Sequence, residues 1–176
     1  MEEIKRSNVG DVTAETVSVI QGRARSVQGN NVTLRQAGAQ SVTADKLIAR
    51  QGGVMQAKAD HVEMLGGGIG LAQTQMASLT ASEAGAILSE GEVTMEQAGA
   101  QLLLARGDVT MEQSGAVLMA ANNVKAENSG VVFLLAREVE GPINPVFGPR
   151  ESLVFGAVAG LVAGLVMLLA KLARRK

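Results

Sequence analysis

Residues 93–108 read VTMEQAGAQLLLARGD, and the residues that follow directly, 109–123, read VTMEQSGAVLMAANN. Both stretches share a frame: an aliphatic residue, a Gln-like residue four positions later, and a glycine two positions beyond it. The frame occurs eight times along the chain, with Arg23 in place of the glycine in the first, and starts at Val17, Val32, Leu47, Val62, Leu79, Val93, Val109 and Val124. A short period with interchangeable aliphatic residues and a fixed turn is typical of a solenoid.

The period of about 15 residues excludes the helical repeats, which need roughly 33 to 47 residues per unit. Apolar residues alternate with polar or small ones, which is the pattern that turns one face of a strand inward. In one early frame the inward candidates form three pairs: Val32 and Leu34, Ala37 and Ala39, Val42 and Ala44. We therefore predict an all-β fold, a single-stranded β-solenoid (β-helix) with three short sides per turn.

The pattern extends to the amino terminus, where Ile4 and Val9 match Leu34 and Ala39. Counted this way, the chain contains about nine rungs of 15–16 residues. At the strand spacing of a sheet, roughly 4.8 Å, nine rungs give a rod about 43 Å long. The rod is predicted to occupy residues 1–140.

The Gln-like positions form a row: Gln21, Gln36, Gln51, Gly66, Glu83, Gln97, Gln113 and Asn128. In a stacked coil, equivalent amide side chains lie above one another and hydrogen-bond along the stack. The glycine two positions later is predicted to form the corner, because glycine adopts positive φ without steric cost. We interpret both rows as structural, and a Gln row that binds a repetitive ligand is the alternative.

Composition limits the functions that this chain supports. The 176 residues are 47% hydrophobic but only 2% aromatic, so the core must be thin and built from small aliphatic side chains. There is no Cys, and His61 is the single histidine, so we expect no metal site. Turns of two or three residues leave no cleft, and we expect no enzymatic activity, no cofactor and no small-molecule substrate. Nucleic-acid binding is not expected either, because no basic stripe carries aromatic residues for base stacking.

All three prolines lie in residues 141–149, GPINPVFGP, where a prolyl nitrogen cannot donate to a β-ladder. We expect the coil to stop there and residues 141–151 to form a linker and cap. Residues 153–170 follow without a charged side chain, a stretch long enough to cross a bilayer as a helix. Residues 152–176 are therefore predicted to form a carboxy-terminal transmembrane helix with a basic tail, which makes the lipid bilayer a predicted partner.

Within the predicted helix, Gly156, Gly160 and Gly164 recur every fourth residue and share one face. Small residues at this spacing let two membrane helices pack closely, which indicates a homo-oligomer. The basic tail suits anionic lipid head groups and consists of Lys171, Arg174, Arg175 and Lys176.

Continuous apolar runs at residues 102–104, 117–119 and 131–135 give a second indication of a homo-oligomer. If Leu102 and Leu118 point inward and simple alternation continues, the intervening residues form an exposed stripe on three adjacent rungs. The predicted lateral interface consists of Leu103, Val117, Met119, Val132 and Leu134. A local reversal of the strand, or cover by the Pro-rich segment, is the alternative.

The amino-terminal rung, near Ile4 and Val9, is a template for end-to-end contact because an unpaired rung accepts a further strand.

Charge along the rod is uneven. Residues 1–60 carry eight basic and six acidic side chains (+2), whereas residues 61–149 carry three basic and ten acidic side chains (−7). The row Glu96, Glu112 and Glu127 contributes to the acidic half, and we interpret it as a solvated surface.

A three-sided coil without clefts and with a small aliphatic core, over roughly residues 4–140, resembles the bactofilins, the bacterial polymer-forming β-solenoids. The resemblance implies a cytoskeletal or scaffolding protein that binds no nucleotide. The predicted membrane anchor departs from that pattern and argues against free filament growth from both ends of the rod.

We therefore expect a non-enzymatic, membrane-anchored scaffold that bridges two membranes by head-to-head contact of its amino-terminal rungs, with two rods spanning about 90 Å. A lateral scaffold or coat on one membrane and an exported display rod are the alternatives. The positive-inside rule favours the exported rod. The absence of an amino-terminal signal sequence favours a tail-anchored rod that faces the cytoplasm, which is the prediction we adopt.

Overall fold

The computed structural model of the protein describes residues 2–5, 8–141 and 143–145. These residues wind into a single-stranded parallel β-solenoid of about nine turns, with no helix among them. The predicted all-β solenoid is confirmed. Its strands are β1 (Glu2–Lys5), β2 (Asn8–Thr13), β3 (Thr16–Ile20), β4 (Arg23–Arg35), β5 (Gly38–Ser89), β6 (Val93–Glu96), β7 (Gly99–Ala105), β8 (Asp108–Glu112), β9 (Gly115–Glu127), β10 (Ser129–Glu140) and β11 (Ile143–Pro145).

Successive turns stack in register, so equivalent positions of the frame pair directly. Val93 pairs with Val109, and Val109 pairs with Val124. One predicted frame start is wrong, because Ala77 rather than Leu79 pairs with Val93. Ala77 and Leu79 are both buried and lie two residues apart, so alternation alone does not distinguish them. With Ala77 as the start, the spacing between frames is 15 or 16 residues throughout.

The first corner of each turn is formed by the Gln-like residue itself. The backbone there is left-handed in eight successive turns, with φ between 49° and 66°, at Gln21, Gln36, Gln51, Gly66, Ala81, Gln97, Gln113 and Asn128. Ala81 takes the place predicted for Glu83. The prediction that the following glycine supplies positive φ is wrong, since Gly38 and Gly99 are not among the residues with positive φ.

The core is a narrow column of small aliphatic side chains, two from each side of a turn. In the turn that starts at Val32, the predicted inward residues Val32, Leu34, Ala37, Ala39 and Val42 are all buried, and Ala44 is half-buried against them. Inward residues alternate within a side and lie three residues apart across a corner. Hydrophobic burial is therefore spread evenly along the rod, as in other solenoids whose turns contact only their neighbours.

The third corner, which joins the end of one turn to the start of the next, contains one extra residue in two turns. Three residues separate the paired positions Ser89 and Val93, whereas most turns have two at this corner. Gly91 and Gly107 occupy the two longer corners, and a Cβ on Gly107 would lie 2.6 Å from the carbonyl carbon of Gly91. Glycine at position 107 therefore allows the two longer corners to stack.

The coil continues beyond the point where the prolines were expected to stop it. β11 pairs in parallel with residues 129–131 of β10. Pro145 is tolerated there because β11 is the last strand in the order of the sheet, where a missing N–H interrupts no further ladder in the described residues.

The predicted transmembrane helix, residues 152–176, and most of the predicted linker, residues 141–151, lie outside the described residues. Within the described ranges, no helix is long and apolar enough to span a bilayer.

Candidate self-association surfaces

The structure reverses part of the predicted lateral stripe. Leu103 and Met119 were expected to point outward, but they are 0% and 1% exposed and belong to the core. Leu134 is partly buried against the same core, and Val132 is half-buried. Of the five predicted residues, Val117 lies clearly on the surface, with 49% of its area exposed.

The reversal follows from the step at the second corner of each turn. Ala100 and Leu103 both point inward although they are three residues apart, because the chain turns a corner between them. The prediction instead continued simple alternation through Leu102 and Leu104. Since Leu103 pairs with Met119 in the next turn, the same step places both side chains in the core.

The residues around these buried side chains form the exposed apolar surface instead. This surface, the apolar patch, consists of Leu104, Val117, Leu118, Phe133 and Leu135, which are 37%, 49%, 43%, 51% and 75% exposed. Leu118 pairs with Phe133 in the adjoining turn, so the patch is continuous along one side of three successive turns. Contiguous exposed apolar surface of this kind usually marks an interaction site.

The same side of the rod is polar toward the amino terminus. Following the register back from Phe133 through successive turns leads to Ser41 and Ser26, and following it back from Leu135 leads to Thr43. Polar residues therefore satisfy the fold at these outward positions. The solenoid therefore does not require apolar side chains at these positions in its last turns.

The residues predicted for end-to-end contact belong to the core of the first turn. Ile4 is 8% exposed, and Val9 is partly buried against the core. β1 pairs with β3 and stands at the end of the sheet order. Contact through this end of the rod would therefore use the backbone edge of β1 rather than the side chains of Ile4 and Val9.

Amide side chains stack at the first corner as the sequence predicted. Gln21 donates through Nε2 to Oε1 of Gln36 at 3.1 Å, and Gln36 donates in the same way to Gln51 at 3.2 Å. Further along the rod, Gln97 donates to Gln113 at 3.2 Å. These amides are used in hydrogen bonds along the stack, which is what a structural role for the row requires.

Directly before each Gln-like residue lies an outward position that we call the charged edge. In the amino-terminal half Arg35 pairs with Arg50, and in the carboxy-terminal half Glu96, Glu112 and Glu127 pair in succession. All five side chains are exposed. The acidic row was recognised in the sequence, but its basic counterpart was missed. The basic row becomes visible when the residues that directly precede the Gln-like positions are compared across all turns.

The grooves on the rod are open to solvent, and their linings combine apolar, basic and acidic side chains. One of about 590 Å³ runs along the third corner, where its lining includes Lys58, Glu90 and Arg106. Arg106 and Glu90 form an exposed ion pair at 3.8 Å. In the part of the chain that the structure describes, no group of three His, Cys, Asp or Glu residues is placed to hold a metal ion.

The residues predicted to pack the membrane helix and to contact lipid lie outside the described residues: Gly156, Gly160, Gly164, Lys171, Arg174, Arg175 and Lys176.

No protein-family model matches the chain, and comparison with curated proteins and with solved structures found no match. The assignment to the parallel β-solenoids therefore comes from the structure itself.

Proposed function

We propose that this protein is a non-enzymatic structural scaffold, anchored in a membrane by its carboxy-terminal segment, whose rods associate side by side through the apolar patch. The patch is the observation that carries the proposal. It places five large apolar side chains on the surface of three adjoining turns. Turns nearer the amino terminus have polar residues at the same outward positions as Phe133 and Leu135.

The position of the patch along the rod supports contact between rods in one membrane. Its residues lie in the last turns before residue 141, next to the segment that we expect to enter the bilayer. Rods that stand in the same membrane present their patches at the same height. Two copies then bury the patches against each other about a two-fold axis parallel to the rods, which is a closed, self-complementary contact.

The architecture supports a scaffold of the kind suggested by the resemblance to bactofilins. A parallel β-solenoid of about nine turns is consistent with that family's architecture. Its regular sides present extended surfaces for contacts between copies, and the partners that we propose are the lipid bilayer and further copies of the same chain. We propose no cofactor, nucleotide or nucleic-acid partner, and we place the rod on the cytoplasmic side.

The lateral contact is tested with the full-length chain in lipid vesicles, by chemical cross-linking and by the mass of the detergent-extracted particles. Phe133→Asp with Leu135→Asp places charge in the patch and is expected to convert oligomers to smaller species. Ser41→Asp with Thr43→Asp makes the same change at the equivalent positions of an earlier turn and is the matched control. Oligomers whose mass the patch substitutions leave unchanged, or a wild-type chain that is monomeric in vesicles, contradict the lateral contact.

The anchor is tested separately by removing residues 152–176. The shortened chain is expected to stay in the supernatant when vesicles are sedimented, whereas the full chain sediments with them. Sedimentation of the shortened chain with bilayers contradicts the proposed anchor.

Contact between rods of two opposing membranes is a second candidate, favoured by the position of β1 at the end of the sheet order. A strand at the end of a sheet accepts a further strand through its backbone, and two identical ends can pair about a two-fold axis. Removal of residues 1–16 is expected to abolish tethering of vesicles while leaving lateral oligomers intact. Tethering that persists after this deletion contradicts a contact made by β1, and an absence of tethering by the full chain contradicts the head-to-head contact altogether.

A further inference from the structure

We propose that the rod carries another self-association surface, along which two copies pair side by side in antiparallel orientation. This surface consists of the charged edge and the adjoining glycine-rich side of the solenoid. The inference rests on the described solenoid alone and depends on neither the membrane anchor nor the apolar patch.

The charged edge changes sign about its own midpoint. Arg35 and Arg50 lie on two successive turns, and Glu96 and Glu112 lie on two successive turns further along. Two turns separate the groups, and their residues at this position are Leu65 and Thr80, each 15 residues after the one before. Leu65 is 37% exposed. The midpoint between the opposite charges therefore falls between the turns of Leu65 and Thr80.

A two-fold axis through that midpoint, perpendicular to the rod, brings the arginine turns of each copy opposite glutamate turns of the other, with the turns of the uncharged Leu65 and Thr80 between them. The turn of Arg50 then faces the turn of Glu96, and the turn of Arg35 faces the turn of Glu112. One turn further out, Glu127 faces the turn that carries Arg23 on the adjoining side. Symmetry repeats the two edge pairs, so two copies form four opposite-charge contacts along the charged edge.

Parallel pairing along the same edge is disfavoured. Rods in parallel register would place arginines opposite arginines and glutamates opposite glutamates, and like charges that face each other across an interface oppose binding. Single exposed ion pairs contribute little to affinity, but a self-complementary series of them selects one orientation and register. Charge complementarity thus identifies the partner as a second copy of this chain running in the opposite direction.

The side of the rod beside the charged edge is shaped for close approach. Glycine recurs at its outward position, at Gly38, Gly53, Gly68, Gly99 and Gly115. None of these five has positive φ, and a Cβ there would lie no closer than 3.7 Å to atoms beyond its chain neighbours. The fold of one copy would therefore accept alanine at these positions. Arg23 and Glu83 hold this position in two other turns, and elsewhere glycine leaves the surface flat, so that another backbone can lie against it.

A shallow groove of about 480 Å³ lies in the basic half of the same surface. Its lining includes Ile20, Arg35, Arg50 and Leu65. In the antiparallel pair this groove faces the acidic half of the partner, so the arginines meet carboxylates beside apolar side chains that they can cover.

The orientation is tested by cross-linking, because the chain contains no native cysteine. Gly53 and Gly99 lie on turns that face each other in the antiparallel pair, and both have room for a side chain. Full-length Gly53→Cys and Gly99→Cys proteins are mixed in detergent solution and treated with a short bis-maleimide. In an equal mixture, we expect the mixed product to exceed each homotypic product by much more than the twofold excess that random pairing gives. A dominant homotypic Gly53→Cys product would indicate parallel pairing and overturn the proposal, and so would a yield no higher than that of a Met76→Cys control on the third corner.

The charges are tested by reversal in the same cross-linking assay. Arg35→Glu with Arg50→Glu, introduced in both partners, is expected to lower the mixed yield about tenfold, and so is Glu96→Arg with Glu112→Arg. Combining one all-acidic partner with one all-basic partner is expected to restore the yield. Arg25→Glu with Lys58→Glu changes the same number of charges away from this edge and is the control. If the reversals have no more effect than this control, or the complementary pair does not recover, the proposal is wrong; membrane sedimentation and the patch variants remain independent tests of the scaffold.

Discussion

Leu103 and Leu104 are consecutive in the sequence but lie on opposite sides of the solenoid wall. Leu103 is completely buried, whereas Leu104 is 37% exposed and belongs to the apolar patch. The two side chains are chemically identical, so the difference comes from the preceding corner alone. Only the phase of the turn decides which leucine supports the fold and which is available to a partner.

Aspartate at these two positions is expected to have opposite effects. Leu103→Asp buries an uncompensated charge in a thin core and is expected to lower the free energy of unfolding by about 4 kcal/mol or more. Leu104→Asp leaves the charge in water and is expected to change it by less than about 1 kcal/mol while weakening lateral association. Chemical denaturation and cross-linking of the two variants check this. Equal loss of stability would contradict the assigned phase of the strand.

Gly52 and Gly53 provide a second matched pair. A Cβ at Gly52 would collide with the carbonyl oxygen of Ala37, whereas a Cβ at Gly53 would lie 3.8 Å from the carbonyl oxygen of Gly68. Gly52→Ala is expected to cost about 1–3 kcal/mol, because the backbone of two turns must separate. Gly53→Ala is expected to be within about 0.5 kcal/mol of wild type. Unfolding midpoints measure both, and a tolerated Gly52→Ala would show that the turns are less tightly stacked than described.

Ala81 adopts a backbone conformation that costs an alanine about 1–2 kcal/mol, with φ at 49°. Glycine removes that cost but adds freedom to the unfolded chain, so Ala81→Gly is expected to stabilise the protein by about 0.5–1 kcal/mol. Gly66, with φ at 66°, is the reciprocal case, and Gly66→Ala is expected to destabilise the protein by a similar amount. Opposite shifts in thermal unfolding midpoint are the expected result. Shifts of the same sign would contradict the shared corner geometry.

Ser114 replaces an aliphatic residue in the core and satisfies backbone groups of its neighbours. Its Oγ accepts from the backbone N–H of Ala98 at 3.1 Å and donates to the carbonyl oxygen of Glu112 at 2.8 Å. Ser114→Ala leaves the Ala98 N–H without this acceptor and is expected to cost about 1–3 kcal/mol. The half-buried Ser78, changed to Ala, is the control and is expected to have less than half that effect in the same denaturation series. A Ser114→Ala variant as stable as the control would contradict this role.

The period, the strand alternation and the three-sided core could be read from the sequence because identical turns repeat one pattern many times. The phase of the alternation, meaning which residues point inward and which point outward, was harder to predict. Leu102, Leu103 and Leu104 offer the same hydrophobicity at every position, so alternation cannot locate the step at the corner. The choice between Ala77 and Leu79 failed for the same reason.

The corner residue was missed for a different physical reason. Glycine tolerates positive φ best, which favoured Gly38 and its equivalents, yet Gln36 carries the left-handed backbone. The amide hydrogen bonds between Gln21, Gln36 and Gln51 offer support for that conformation. Such support exists only between turns, so it is invisible in any single frame. Arg35 and Arg50 were missed likewise, because their relation to Glu96 and Glu112 appears only when the whole column is aligned.

Because every turn adds one strand spacing, the length of the rod is set by the number of turns and changes in equal steps. Excising one complete turn, such as residues 47–61, would shorten the rod by about 4.8 Å and leave the remaining turns facing the same directions. An evolving lineage could thus adjust the reach of this protein in fixed increments by duplicating or deleting single turns.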